Sequence, residues 1–301
     1  MNRSYLNLGL AVVVAGLGVA VWLSQKQEDQ GPALTALKQD AITNIVIEHP
    51  AEPTIRLEKY DGQWRLTEPV QASADSLEVG GILSLAELEV KKQFDAGVDL
   101  KQLELDPPRY RVTLDDVRID IGGTEPIQYR RYVSSGEAIG VVDDPPSAAL
   151  DADFSDLISK QLVPPGRKLT SVKLPDLLLS QADPGWALSP PQSDVSADQL
   201  QQLADAWSKA RALWNQAPEG ELDYSDQPQI ELGLDDGSQI QLRLYAKEPQ
   251  LILARPAAQV HYHLSKALAD DLLGLPPTAE PVAADLDPVA EALAPAEADG
   301  D

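Results

Sequence analysis

The chain has 301 residues, of which 43% are hydrophobic and 24% charged, enough for about two ordinary globular domains. Its formal net charge of −24 excludes nucleic acid as a partner, since that binding needs Lys and Arg to displace counterions. The same charge opposes adsorption to anionic lipid heads. Cysteine is absent, which excludes disulfides, thiolate nucleophiles, Cys-ligated zinc and a lipid-modified cysteine anchor.

The first expected element is a membrane helix. Residues 6–23 read LNLGLAVVVAGLGVAVWL, with Asn7 as the one strongly polar member. About 20 apolar residues cross a hydrocarbon core of about 30 Å. Tyr5 and Trp22 sit where interfacial aromatics are expected. Gly18-Val19-Ala20 resembles a cleavage site, but the apolar run continues past it through Leu23. A cleaved signal has a shorter apolar stretch, so the segment reads as an uncleaved signal-anchor. Arg3 against Lys26, Glu28 and Asp29 gives a slight positive-inside bias that places the body outside the cytoplasm. The anchor is assigned to residues 1–24 and a polar spacer to 25–40.

Beyond the spacer the sequence repeats itself, with an offset near 120 residues. Trp64-Arg65-Leu66-Thr67-Glu68-Pro69 is echoed by Trp186-Ala187-Leu188-Ser189-Pro190-Pro191, each after a glycine. Ser73-Ala74-Asp75 is matched by Ser196-Ala197-Asp198. Pro108 with Val112, Leu114, Asp115 and Asp116 corresponds to Pro228 with Leu232, Leu234, Asp235 and Asp236.

Each unit reads as strands, a helix, then strands. Ile45 and Ile47 alternate with polar neighbours or Val46, and Ile55 and Leu57 with Arg56 and Glu58. Asp61-Gly62 then predicts a type I′ hairpin into residues 63–67. Val112 and Leu114 face away from Arg111 and Thr113, and Ile119 and Ile121 away from Arg118 and Asp120. Such period-two alternation is the habit of antiparallel sheets. Val79, Ile82, Leu83, Ala86 and Val90 predict a helix in the first unit, weakened by Gly80-Gly81. Leu200, Leu203, Ala204, Trp207, Arg211 and Trp214 predict one in the second, opened by a Ser196/Gln199 capping box. A short helix is expected over 265–273.

The fold class is therefore α+β: a transmembrane helix followed by two tandem repeats, each an amphipathic helix on a mainly antiparallel sheet. The first unit is assigned to residues 41–163 and the second to 164–275. The acidic Ala/Pro-rich stretch 276–301 lacks the apolar area to offset its ordering entropy and is expected to be disordered.

Residues that carry chemistry are few. His261 and His263 flank Tyr262 on one strand face, yet a third metal ligand is not evident, because His49 lies in the other unit; a surface-facing pair is the expectation. Asp115-Asp116, Asp143-Asp144, Asp235-Asp236 and Asp270-Asp271 lack the separated environments that acid–base catalysis needs. The recurring pairs read as turn residues. Gly122-Gly123 opens no helix and lacks dinucleotide-binding spacing. Arg109, Arg111, Arg118, Arg130 and Arg131 are one arginine-rich stretch, read as a solvated face with acidic neighbours rather than an anion site. Trp64 and Trp186 recur at one repeat position and read as core residues beneath the helices rather than as a ligand platform. No catalytic, cofactor-binding or metal residue is assigned.

On these motifs the chain resembles the bacterial domain-of-unknown-function 4340 family. The resemblance rests on G-x-W-x-L-[ST]-x-P at residues 62–69, the Ala74-Asp75 helix start and L-x-L-D-P-P at 103–108. It rests also on Arg131-Tyr132-Val133 followed by Val141-Val142-Asp143. It covers most of residues 40–160 and, more faintly, the second unit, where L-D-P-P is reduced to Asp226-Gln227-Pro228. The resemblance implies a membrane-anchored envelope protein encoded beside a gliding-motility-type ABC transporter permease and its auxiliary ectodomain subunit. The expectation is a non-enzymatic, cofactor-free accessory or scaffold in the bacterial inner membrane, single-pass, with its ectodomain in the periplasm and permease or auxiliary subunits as partners. An extracytoplasmic module for a small ligand or glycan is the alternative, favoured if a cleft lies between the units.

Overall fold

The computed structural model describes residues 31–50, 52–95, 97–136, 138–143 and 153–276, together with 14 and 16–18. The expected membrane segment therefore lies outside the described residues except for those four, which are helical. Among the described residues no helix is long and apolar enough to cross a membrane. The expected disordered tail also lies outside them, save Pro276.

The described chain is mostly antiparallel sheet with a few helices. In the first half the elements are β1 (Asn44–Glu48), β2 (Ile55–Tyr60), β3 (Gln63–Glu68), β4 (Ala72–Ser73), α1 (Ser76–Leu83), β5 (Lys92–Phe94), β6 (Tyr110–Leu114), β7 (Val117–Thr124), β8 (Arg131–Ser135) and β9 (Ala138–Val142). In the second they are β10 (Leu169–Lys173), β11 (Leu178–Gln181), β12 (Trp186–Ser189), α2 (Ala197–Lys209), β13 (Trp214–Gln216), β14 (Gln229–Leu234), β15 (Gln239–Ala246), β16 (Leu251–Arg255), β17 (Val260–Leu264) and α3 (Leu268–Leu273). The sheets run β4-β3-β2-β1-β6-β7-β8-β9-β5 and β12-β11-β10-β14-β15-β16-β17-β13. Strand for strand the order is the same, except that nothing in the second sheet occupies the place of β4.

Local chemistry explains most of these elements. The β2–β3 hairpin pairs Tyr60 with Gln63, and its two loop residues have positive φ, Asp61 at 49° and Gly62 at 78°. That is the type I′ geometry. The alternation of Ile45, Ile47, Ile55, Leu57, Val112, Leu114, Ile119 and Ile121 places all eight in the core, none more than 2% exposed. Helix α2 opens with the complete Ser196/Gln199 capping box and turns Leu200, Leu203, Ala204 and Trp207 inward, against β10, β12 and α3.

The helices end earlier than their apolar spacing suggests. α1 stops at Leu83 and continues as one 3-10 turn over Ser84–Glu87, so Val90 is not on the helix. α2 stops at Lys209, because Ala210 is extended and its N–H turns back to Trp207 O. Arg211 and Trp214 leave the helix: Ala212 N–H donates to Lys160 O, and Trp214 opens β13, paired with β17. Competition from long-range backbone hydrogen bonds overrides the local periodicity. The final helix spans Leu268–Leu273, with turns before it.

The expected spacer is part of the fold from Pro32 onward. Val90 N–H donates to Pro32 O and Leu34 N–H to Leu88 O, and Leu34 is 6% exposed in the core. Three apolar or small residues, Pro32, Ala33 and Leu34, suffice to dock the strand-like stretch. The two halves also share one continuous hydrophobic core rather than being joined by an open linker at Pro164-Pro165-Gly166. Residues 153–163 lie between them. Ser159 N–H donates to Ser73 O and Asp75 N–H to Leu157 O on one side, while Leu162 N–H donates to Ala210 O on the other.

Gly122-Gly123 has a structural explanation in this packing. Gly123 N–H donates to Leu103 O, and a Cβ on Gly122 would sit 2.3 Å from that same carbonyl oxygen. Gly122→Ala is expected to lower stability by about 1–3 kcal/mol through overpacking. Gly123→Ala, which meets only the movable Glu104 side chain, is expected to have the smaller effect. Urea titration of both variants checks this; equal midpoints would mean that the backbone approach exerts no strain.

Candidate functional site

The two histidines do share one face of β17, as alternation requires, but they are covered rather than surface-facing. His261 is 7% exposed, with Tyr224 OH 2.8 Å from Nε2 and the Tyr245 ring 4.6 Å away. The His263 ring stacks on Trp214 at 4.9 Å and 15°. Its two nitrogens are buried without a hydrogen-bond partner among the described residues. Tyr224 and Trp214 supply this aromatic cover, and neither contact was legible in the strand pattern. No group of three or more metal-ligating side chains occurs among the described residues.

Burial holds both imidazoles below their ordinary value, for His261 with added repulsion from His263. Between the folded and ordinary values the unfolded chain binds more protons, so their contribution to stability is complete above the ordinary value of 6.5. It is lost as pH falls through the folded values. Lowering pH from about 7.5 to about 5.5 is therefore expected to lower Tm, and His261→Gln/His263→Gln to flatten that slope. A slope unchanged in the double variant would assign the dependence to other groups.

The recurring aspartates are turn residues with matching roles. Asp115 follows β6 at φ 51°, and its Oδ1 accepts from Thr43 and Asn44 N–H. Burial pushes its carboxyl up, but these donors outweigh it and hold it below its ordinary value. Asp235 follows β14, and its Oδ1 accepts from Lys168 N–H. Asp236 accepts from Ser238. Asp270 and Asp271 lie on α3, and Asp143 pairs with Arg130 and Lys91. Asp144 lies outside the described residues, and among the described ones no two of these pairs converge.

The arginine stretch is neutralised internally. Arg111 and Arg118 both bind Asp120, at 2.9 and 2.6 Å, and Arg109 pairs with Glu104. Arg131 is buried beside Gly122 O. Asp120, placed by alternation on the solvated face, is 9% exposed because the two guanidinium groups cover it.

Trp64 and Trp186 face the core side of their sheets but are only half-buried, packed at its margin. Each stands on β3 or its counterpart β12, near the sheet end where covering layers thin out. Trp64 forms one wall of a cleft of about 330 Å³ on the seam between the halves. Gln63 and Asp75 of the first half, Ser159 and Gln161 of the connecting segment, and Arg211 of the second half are among the other residues that line it.

Asp75 organises this cleft. It is 4% exposed, caps α1 by accepting from Leu77 N–H at 3.0 Å, and receives Arg211 Nη2 at 3.1 Å. Lys160 Nζ lies 3.8 Å away and binds Glu78 at 3.0 Å. The cleft thus offers one indole face, a buried carboxylate committed to two cations, and amide and hydroxyl groups. That set can hold a small polar molecule by stacking and hydrogen bonds. The internal repeat marked Trp64, but the 136-residue separation of Asp75 and Arg211 left no local signal.

A family model for a domain of unknown function, DUF4340, matches residues 64–219. The match opens at Trp64 and extends through α1, the connecting segment, α2 and β13, so it contains most of the seam. No curated protein and no solved structure matches the chain. With half of its length in that match, the chain belongs to the DUF4340 family.

Proposed function

We propose that the chain is a non-catalytic, membrane-anchored accessory of the cell envelope, with a duplicated α+β ectodomain that serves as a scaffold in an ABC-transporter-like assembly. The apolar run at residues 6–23 supports the anchor, and the slight positive-inside bias of Arg3 against Lys26, Glu28 and Asp29 supports a periplasmic ectodomain. The matching strand order of the two sheets, β4 aside, supports the duplication. The observation that carries the scaffold reading is the single core through both halves, with seam residues hydrogen-bonded to each side. Such a body presents two large sheets in one fixed relation, which suits it to hold partners apart or together. The transporter partner follows from the family resemblance.

The test is a crosslinked pull-down of tagged full-length protein from native membranes, read by mass spectrometry, beside a version with an exchanged anchor. Enrichment of permease or auxiliary ectodomain subunits with either anchor supports the scaffold and assigns the contact to the ectodomain. Recovery of no partner above background overturns it.

The cleft at Trp64 favours a second reading, an extracytoplasmic module for a small ligand or glycan. A stacked sugar or other flat polar molecule is the chemistry that an indole wall and amide groups recognise. Quenching of Trp64 fluorescence by a glycan panel, absent in Trp64→Leu, would support it.

A further inference from the structure

A second groove, of about 550 Å³, crosses the seam on the other side of Ser73, which lines both. Three arginines from three parts of the chain line it: Arg65 from β3, Arg167 from the turn before β10 and Arg255 from the end of β16. Tyr60, Thr67 and Ser238 add hydroxyl groups. In a chain of net charge −24, most arginines are bound to carboxylates, as Arg56, Arg109, Arg111, Arg118, Arg130 and Arg211 are. Arg65 and Arg255 have no ion pair among the described residues. Arg255 lies beside the phenol of buried Tyr262. Arg167 pairs with Asp236 at 3.1 Å. Asp236 is the one carboxylate in the lining, and Glu58, opposite Arg65 in the strand register, accepts from Tyr60 OH.

Even with Glu58 counted beside Asp236, the three arginines leave the groove a local positive excess. Screening over about 8 Å at physiological salt makes that local balance outweigh the distant negative charge. A carboxylate is satisfied by one guanidinium fork, whereas three forks approaching from separate elements match the several oxygens of a phosphate group. We propose that this groove binds the phosphate group of a ligand between Arg65, Arg167 and Arg255. A soluble phosphate-bearing molecule and a lipid headgroup share this chemistry, and the two arms of the experiment distinguish them.

The experiment titrates full-length protein, in a phosphate-free sugar detergent at low ionic strength, with inorganic phosphate by calorimetry. A second arm measures its binding to nanodiscs of phosphatidic acid against phosphatidylcholine. Arg65→Gln/Arg167→Gln is expected to weaken phosphate binding by about tenfold or more, the loss of two charge-assisted contacts. Arg56→Gln, an exposed arginine outside the groove, is expected to leave it unchanged, and equal Tm values in the variants exclude unfolding as the cause. Variant-sensitive binding to phosphatidic acid nanodiscs alone would retain the site and reassign its source to a lipid headgroup. Absence of binding in both arms, or binding that the double variant does not weaken, overturns the proposal.

Discussion

Trp207→Ala is expected to lower the stability of the chain by about 4 kcal/mol, the range for removing a fully buried large aromatic. Trp207 is 0% exposed, on the inner stripe of α2 with Leu203 and Ala204. Its Nε1–H donates to Leu272 O at 2.9 Å, so the indole joins α2 to α3 by a directed bond as well as by packing. Removing it leaves a cavity and strips a buried carbonyl of its donor, and the two losses add. Trp207→Phe separates them: it keeps most of the ring and should lose about 1–2 kcal/mol, chiefly the hydrogen bond. Trp214→Ala is the comparison, since that ring is 40% exposed and gains much less from burial. Guanidinium unfolding of the three variants measures the order. A Trp207→Ala loss no larger than that of Trp214→Ala would place Trp207 outside the core.

Asp75→Ala is expected to cost about 2–3 kcal/mol and to weaken the coupling of the two halves. The side chain performs two tasks at once. As N-cap it satisfies Leu77 N–H, which contributes about 1 kcal/mol. As a buried carboxylate it holds Arg211 across the seam, and breaking a buried pair is costlier than losing a surface one. Arg211 is 44% exposed and can turn to solvent, which limits the penalty. Lys160 keeps Glu78.

A double-mutant cycle of Asp75→Asn with Arg211→Gln is expected to give a coupling of about 1 kcal/mol. The surface pair Asp205–Lys209 should give less than about 0.5 kcal/mol. The unaltered chain is expected to unfold in one transition, because its core is shared. Asp75→Ala should broaden that transition or divide it in two. A sharp single transition with full stability would mean that the seam depends on its backbone bonds and not on Asp75.

The sequence by itself determined the α+β class, the strands, the hairpin at Asp61-Gly62 and the capping box at Ser196. Each of these is set by residues within a few positions of one another. Alternation decides which strand face is buried, and a turn's φ values or a cap's hydrogen bonds are local geometry. Family membership was legible for the same reason, since its motifs mark turns and helix starts.

Only the tertiary structure decided where α2 ends, how the halves join and which arginines are neutralised. Trp214 continues a perfect helical stripe, yet it lies in a strand, because β13 gains a ladder with β17 that the helix cannot offer. Pro32–Leu34 carries no strand signal and becomes ordered against residues 88–90. Asp120 reads as a solvated residue until Arg111 and Arg118 close over it. Both clefts are built by residues far apart in sequence, Asp75 bound to Arg211 in one and Arg65 and Arg255 lining the other. A local pattern registers the conformational preference of a short segment; it contains no term for a partner brought alongside by the fold.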